Sequence, residues 1–229
     1  MKLALAQTHP TPDHAHNLER QLHWSKKAAE DGASVIVFPE LSLTSYESAQ
    51  AAEWAMELSH PSLESLRKAS QDLNIIIATG ASLREGDEVF IGMPIFFPDG
   101  STEVHNKNLI HASEEPFFSA GEDDVHWMVE GHVFTPGICY ESTLDEYANK
   151  IAEFGTDILL VSNAKTEEST NRSNEAYKRF SEEFGFVVAV SNSVGMQNGE
   201  HCNGHSVVWI DGQKVNELNE EEGILLIEL

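Results

Sequence analysis

Short apolar runs alternate with amphipathic stretches along the whole chain. Leu18, Leu22, Ser25 and Ala29 share one face of a helix from about residue 14 to 31, and Gly32 is well placed to end it. The same reasoning predicts further helices over about 47–58, 61–73, 144–155 and 171–184, and buried strands over 2–7, 34–40, 74–82, 157–164 and 186–193. Strands that alternate with helices in this way indicate an α/β layered fold.

Two hairpins add antiparallel strands to this pattern. The first covers 87–108 and turns at a Pro-Asp-Gly sequence, and the second covers 205–215 and turns at Asp211-Gly212. These antiparallel pairs argue against an all-parallel sheet.

The middle of the chain contains one more predicted strand, over 131–141. It leads into the helix that begins near Leu144, and Ser142 is the predicted N-cap of that helix. No internal repeat, low-complexity tract or linker interrupts the chain, which predicts a single domain over residues 1–229.

The composition restricts the classes of partner. The chain has 229 residues and a formal net charge of −24 at pH 7. So large a negative charge repels phosphate backbones and anionic lipid surfaces, which argues against nucleic acid and membrane partners. No apolar run approaches the roughly 18 residues that a spanning helix needs, and the N-terminus is interpreted as a first strand rather than a signal sequence.

The cysteine and histidine content points away from disulfides and metals. Cys139 and Cys202 do not make a disulfide framework, so both are interpreted as free thiols in a reducing, cytoplasmic setting, with Cys202 a packing residue. The eleven histidines are scattered, and none belongs to a set with a third ligand at a zinc spacing. We therefore expect no metal and no other cofactor.

Several polar side chains stand at the ends of apolar strands or in the loops that follow, where α/β sheets present their ligands. Glu40 ends a strand, Lys107 follows the first hairpin, and Cys139 lies between a strand and a helix. Glu114 and Glu115 precede two phenylalanines in a loop. Each residue alone has an ordinary interpretation, as a solvated carboxylate, a surface lysine or a buried space-filling cysteine. At a strand-to-helix junction, however, the helix dipole would lower the pKa of the Cys139 thiol.

Glu40, Lys107 and Cys139 lie in three segments that resemble the nitrilase (carbon–nitrogen hydrolase) superfamily. "FPELSLTSY" resembles its glutamate segment, "HNKNLI" its lysine segment and "GICYES" its cysteine segment, in the same order and at similar spacing. The similarity extends to "EFGTDILLVSNA", "FVVAVSNSVG" and "GHSVVWIDGQKV", so it covers nearly the whole chain. Three segments in the family's order, each at the end of a predicted strand, outweigh the ordinary interpretation of any one residue.

The resemblance implies a four-layer αββα sandwich that pairs across a two-fold axis into a homodimer. It also implies a Glu-Lys-Cys triad with Glu40 as the general base, Lys107 as the oxyanion-stabilising cation and Cys139 as the nucleophile. Many members have a second glutamate seven residues before a loop-closing glycine, and this spacing selects Glu114 rather than Glu115.

The chemistry that such a triad supports is thiol attack on an amide carbonyl, with water as the second reactant. The oxyanion that forms would be stabilised by the lysine and by the backbone N–H of Tyr140, the residue after the nucleophile. A thioester remains, and water activated by Glu40 or Glu114 would hydrolyse it.

The sequence departs from the family pattern at several positions. Ser45 stands where glycine is common before the tyrosine, and His105 and Asn106 replace a frequent aromatic-Arg pair. The segment 165–172, "KTEESTNR", lacks the Trp or Pro frequent in a region that shapes the substrate pocket of relatives. The catalytic inference survives these changes, but the identity of the substrate is not determined.

The leading hypothesis is a hydrolase of a non-peptide carbon–nitrogen bond in a small linear amide, such as an omega-amide, or in a carbamoyl amine. A nitrile substrate is less favoured because most relatives attack amides. Two alternatives are an acyltransferase that uses the same triad with an amine in place of water, and a catalytically idle member of the fold that serves as a binding or scaffold protein.

Overall fold

The computed structural model describes residues 1–229 and contains fifteen strands and five α-helices. The strands are β1 Lys2–Gln7, β2 Val35–Val37, β3 Ile76–Ala78, β4 Ala81–Glu85, β5 Glu88–Phe96, β6 Thr102–Asn106, β7 Trp127–Val129, β8 His132–Ile138, β9 Ile158–Asn163, β10 Val187–Asn192, β11 Val194–Gln197, β12 Glu200–Asn203, β13 Val207–Ile210, β14 Gln213–Glu217 and β15 Gly223–Glu228. The helices are α1 His14–Glu30, α2 Ala51–Trp54, α3 Pro61–Leu73, α4 Asp145–Ala152 and α5 Glu167–Glu183.

The strands form two large sheets and one small hairpin. The first sheet has the order β15-β1-β2-β3-β5-β4, with β6 paired to β5, and the second has the order β14-β13-β10-β9-β8-β7. In each sheet three parallel strands, β1-β2-β3 and β8-β9-β10, are flanked by antiparallel ones. The hairpin of β11 and β12 stands apart from both sheets.

Successive side chains of a strand point to opposite faces of its sheet, and this alternation explains how the sheets and helices form layers. In β1, Leu3 and Leu5 point into a cluster shared with the second sheet, whereas Ala4 and Ala6 pack against α1 and α3. In β9, Leu160 points into the cluster between the sheets, whereas Leu159 and Val161 pack with α4 and α5. Strands with two buried faces appear in the sequence as continuous apolar runs. The result is a four-layer αββα sandwich, which confirms the architecture expected from the resemblance.

Most of the predicted elements are confirmed, including both hairpins, and helix ends follow local capping signals. Asp13 accepts a hydrogen bond from the backbone N–H of His16 at the start of α1, and Pro61 occupies the first turn of α3. The helix predicted from about residue 171 begins earlier, at Glu167, because the Thr166 side chain caps it.

Two local predictions are wrong. The helix expected over 47–58 is reduced to a 3₁₀ turn and the four-residue α2, because the chain becomes extended at Ala55 and Met56 bridges to Leu83. Ser142 does not cap α4, since it lies in a 3₁₀ turn before that helix and its hydroxyl donates to the Cys139 carbonyl.

Some elements were not predicted. They include the edge strand β15, whose antiparallel pairing with β1 joins the two ends of the chain, and the β11-β12 hairpin. None of the helices is both long and apolar enough to cross a membrane.

Gly80, just after β3, allows an unusually close backbone approach. A Cβ placed there would lie 2.4 Å from both the Leu41 nitrogen and the Pro39 carbonyl oxygen. We expect Gly80→Ala to lower the free energy of unfolding by about 1–3 kcal/mol, as overpacking typically does, because the backbone on either side of Glu40 must move. Chemical denaturation measures this change.

Gly223→Ala is the matched control, because no atom lies within 4 Å of a Cβ at that position. Its unfolding midpoint should stay close to that of the parent protein. Equal stability of the two variants would contradict the close approach at Gly80.

Candidate active site

Three strand ends bring the predicted catalytic side chains together. Glu40 lies three residues after β2, whereas Lys107 and Cys139 directly follow β6 and β8. The side chains of Glu40 and Lys107 are fully buried. The first two residues belong to one sheet and Cys139 to the other, so the group forms where the two sheets meet.

Ser162, on β9, ties the two sheets together at this point. Its hydroxyl donates to the Phe38 carbonyl at 2.9 Å, and its carbonyl accepts from the Cys139 N–H at 2.9 Å. One residue therefore holds both the loop that carries Glu40 and the turn that carries Cys139.

The loops at the site have left-handed backbone at residues other than glycine. The φ angles are +51° at Leu41, +66° at Ser45 and +50° at Cys139. Such conformations cost of order 1–3 kcal/mol and persist only where the surrounding structure imposes them. The angle at Ser45 is one that glycine adopts without strain.

Lys107 is the centre of a buried charge cluster. Its Nζ lies 3.0 Å from Glu40 Oε1 and 2.7 Å from Glu114 Oε1. Burial opposes the positive charge, but the two carboxylates and the nearby Cys139 raise the pKa of Lys107 overall. Two of the three ammonium hydrogens are used in this way, so one remains for another acceptor.

Glu114 differs from Glu40 in how many of its lone pairs are engaged. Its Oε1 also accepts from the Tyr46 hydroxyl at 2.8 Å, and its Oε2 accepts from the His111 N–H at 2.7 Å. In contrast, Oε2 of Glu40 is buried without a hydrogen-bond partner. The neighbouring Glu115 is exposed. Both carboxylates contact Lys107, but only Glu40 has an oxygen without a hydrogen-bond partner.

Both reacting groups have shifted pKa values. Burial raises the pKa of Glu40, and although Lys107 opposes this change, the carboxylate of Glu114 adds to it. Burial likewise raises the pKa of the Cys139 thiol to about 11, with Glu40 acting in the same direction. The expected low pKa of the thiol is wrong, because burial and the Glu40 carboxylate outweigh the lysine charges that lower it. At neutral pH the thiol needs a base.

The Tyr140 N–H makes no hydrogen bond within the protein. It follows Cys139 directly, so it is available to donate to an acceptor bound at that residue. Cys139 and Tyr140 line a cavity of about 720 Å³, together with Tyr46, Glu114 and residues of the α5 wall. Glu40 and Lys107 lie beneath this surface.

Glu141 was not singled out by the sequence analysis, although it lies within "GICYES". Its fully buried carboxylate accepts hydrogen bonds from the backbone N–H groups of Ile138, Asn108 and Leu109, and its Oε1 is 2.6 Å from the His105 ring. These bonds connect the nucleophile turn to the lysine loop. His105 and the backbone N–H of Ile138 lower the pKa of this carboxyl, against burial.

Two further residues of the cavity were not predicted to belong to the site. Cys202 is buried, as expected of a packing residue, and it lies on β12, where it lines the cavity with Cys139. Lys165 lines the same cavity and is 8% exposed. Its place at the head of the segment that departs from the family pattern was the only available signal. No group of three or more His, Cys, Asp or Glu side chains is arranged to hold a metal.

Comparison with known proteins places these residues in a family context. The sequence matches the carbon–nitrogen hydrolase family model over residues 2–229. It is 27% identical to a 2-oxoglutaramate amidase of Bacillus subtilis over 86% of this chain and 78% of that protein. It is 26% identical to an omega-amidase of Xenopus laevis over 69% of this chain, and this match spans 62% of that protein.

Solved structures show the same fold. An amidase of Nesterenkonia sp. aligns with a TM-score of 0.91 at 26% identity, covering 100% of this chain and 90% of that one. A variant of that amidase, 25% identical to this chain, shows Michael addition of acrylamide at its active-site cysteine. Its TM-score is also 0.91, over 100% of this chain and 93% of that one.

The raised thiol pKa predicts a strong pH dependence of alkylation. Below a pKa of about 11 the thiolate fraction of Cys139 grows about tenfold per pH unit, so its reaction with N-ethylmaleimide should accelerate about tenfold with each pH unit between about pH 7 and 10. Peptide mass spectrometry follows Cys139 and Cys202 separately.

Cys202 provides an internal comparison, because burial raises its pKa to about 12 and it should react more slowly at each pH. A Cys139 rate that does not change over this range would mean that the thiolate already exists at neutral pH.

Proposed function

The chain belongs to the carbon–nitrogen hydrolase family, and we propose that Glu40, Lys107 and Cys139 are the triad with which it hydrolyses a small linear amide or carbamoyl amine. It is an amidase-type, thiol-dependent enzyme. The observation that carries the residue assignment is the contact of the buried Lys107 ammonium with Glu40 at 3.0 Å, beside a cysteine that lines the cavity.

Acylation begins with proton transfer from the Cys139 thiol to Glu40, whose unpartnered Oε2 accepts the proton. The sulfur forms a bond to the amide carbon, and the carbonyl electron pair moves onto oxygen. The third N–H of Lys107 and the Tyr140 N–H stabilise this oxyanion, and each such donor is worth roughly 3–4 kcal/mol in barrier. The carbon–nitrogen bond then breaks, Glu40 returns its proton to the leaving amine, and a thioester remains.

Hydrolysis of the thioester follows the same steps, with water as the attacking group. Glu40 removes a proton from water, the hydroxyl oxygen bonds to the acyl carbon, and the carbon–sulfur bond breaks. The sulfur regains a proton from Glu40, and the acid leaves. Glu114 is the weaker candidate for this base, because its oxygens already accept from Lys107, Tyr46 and His111. It acts through Lys107 and is a positioning residue.

We also propose a homodimer and a cytoplasmic location. Large apolar side chains remain exposed on the single chain, at Met128, Met196, Val215 and Phe117. The two cysteines are free, as in a reducing compartment. Light scattering of the purified protein tests whether it is a dimer, and fractionation of cells tests whether it is cytoplasmic.

Removal of the nucleophile should abolish turnover. Cys139→Ala is expected to lower kcat/KM by at least roughly 10⁴-fold for any amide that the parent enzyme hydrolyses, because no thioester can form. A panel of small amides and carbamoyl amines, assayed for release of ammonia and for the acid product, identifies such a substrate. Circular dichroism should show an unchanged fold, and turnover within tenfold of the parent rate would reject the mechanism.

The state of Glu40 sets the acidic limit of activity. Its pKa is raised above the ordinary value of 4.5, so the base is protonated, and activity lost, at a higher pH than for a free glutamate. The profile of kcat/KM against pH should therefore fall on acidification with an apparent pKa above 4.5. An acid limb at or below 4.5, measured where the protein stays folded, would show that Glu40 is not the base.

A further inference from the structure

Lys165 is a second buried lysine of the cavity, and the proposed reaction does not use it. It lies two residues after β9, its N–H donates to Asn192 Oδ1 at 2.8 Å, and its carbonyl accepts from the Asn203 N–H at 3.2 Å. The main chain at this position is thus held on both sides, and the side chain is 8% exposed and lines the cavity beside Cys139.

The ammonium of Lys165 has no contact partner in the protein. No carboxylate oxygen lies within 4.0 Å of its Nζ, and Nζ donates no hydrogen bond, whereas Glu40 and Glu114 both contact Lys107. Although burial opposes the charge, the acidic neighbours, Cys139 first among them, raise the pKa of Lys165, so it is positive at neutral pH. Nζ is not fully enclosed, so it meets the cavity, and the group that would pair with an ammonium that has so little access to water is an anion.

We propose that Lys165 binds a carboxylate at the far end of the substrate, so that the enzyme selects amides that carry a terminal negative charge. The proposal rests on the amide hydrolysis described above and names its substrate class. One cavity binds both ends of such a molecule, because Cys139 and Lys165 both line it and contact the amide and the carboxylate respectively.

The surroundings of Lys165 suit an anion. Thr166, the next residue, caps the N-terminus of α5, where the helix dipole adds positive potential. Ser169 and Ser173 line the cavity on the first turns of this helix. A neutral amide would leave the ammonium unpaired, and sites built around a buried polar group reject substrates that lack its partner.

Lys165 also has an effect on the nucleophile, and the test must separate it from binding. Its charge is the largest of those that lower the pKa of Cys139 against burial. Loss of Lys165 can therefore slow the hydrolysis of every substrate. A ratio of rates for two substrates cancels this effect, because both substrates react with the same thiol.

The experiment compares succinamate with butyramide, which have the same chain length and differ in a carboxylate that replaces a methyl group. We expect the parent enzyme to favour succinamate in kcat/KM by at least roughly 30-fold, and Lys165→Met to reduce this ratio by at least roughly 30-fold. Lys178→Met is the matched control, since it removes one positive charge from an exposed position on α5, and its ratio should change by less than about threefold.

Binding provides a readout that does not depend on catalysis. Calorimetry should detect succinamate on Cys139→Ala and show at least roughly 30-fold weaker binding when Lys165→Met is added. Circular dichroism checks that each variant folds.

The outcomes separate this proposal from the proposed function. Three results would overturn the role of Lys165 while leaving amide hydrolysis intact. The parent enzyme would show no preference for succinamate, Lys165→Met would lose activity equally on both amides, or succinamate would bind equally well without Lys165. Hydrolysis of no amide in the panel, with Lys165-dependent binding of succinamate, would instead reject the proposed reaction and support the anion site.

Discussion

The buried ammonium of Lys107 is the interaction on which the arrangement of the site depends. An ammonium removed from water without partners costs several kcal/mol, and Glu40 at 3.0 Å and Glu114 at 2.7 Å compensate it. Glu40 lies in a loop after β2, Lys107 directly follows β6, and Glu114 lies in a turn seven residues after Lys107. Removing Lys107 would leave two buried carboxylates without a cation, so the arrangement of both acids depends on this one side chain.

The proposed chemistry follows from how unequally the two carboxylates are engaged. Glu114 is saturated by Lys107, Tyr46 and His111, which suits a residue that holds a cation in place. Glu40 keeps one oxygen free next to a thiol whose pKa burial raises to about 11. A protonated thiol and an adjacent base with a raised pKa favour proton transfer at the moment of attack over a permanently charged thiolate.

The sequence analysis selected the three residues of the proposed triad but misjudged the pKa of the thiol. The strand ends, the hairpins and the order of the three segments are local patterns, and they led to Glu40, Lys107 and Cys139 on the right architecture. The length of the turn after Cys139 is not a local pattern, and a 3₁₀ turn replaced the expected helix start. Glu141 and Lys165 were missed as site residues because burial and contact partners, rather than residue type, distinguish them from surface acids and bases.

The sequence by itself determined the α/β layering and the nitrilase resemblance, because alternation of apolar residues and short motifs are properties of neighbouring positions. Only the tertiary structure decided which charges are paired. Ser162 joins the Glu40 loop to the Cys139 turn, and β15 pairs with β1 although the two strands lie at opposite ends of the chain. Lys165 lines the cavity, and no carboxylate oxygen lies within 4.0 Å of its ammonium. Each of these facts depends on contacts between residues far apart in sequence, whose distances no local pattern contains.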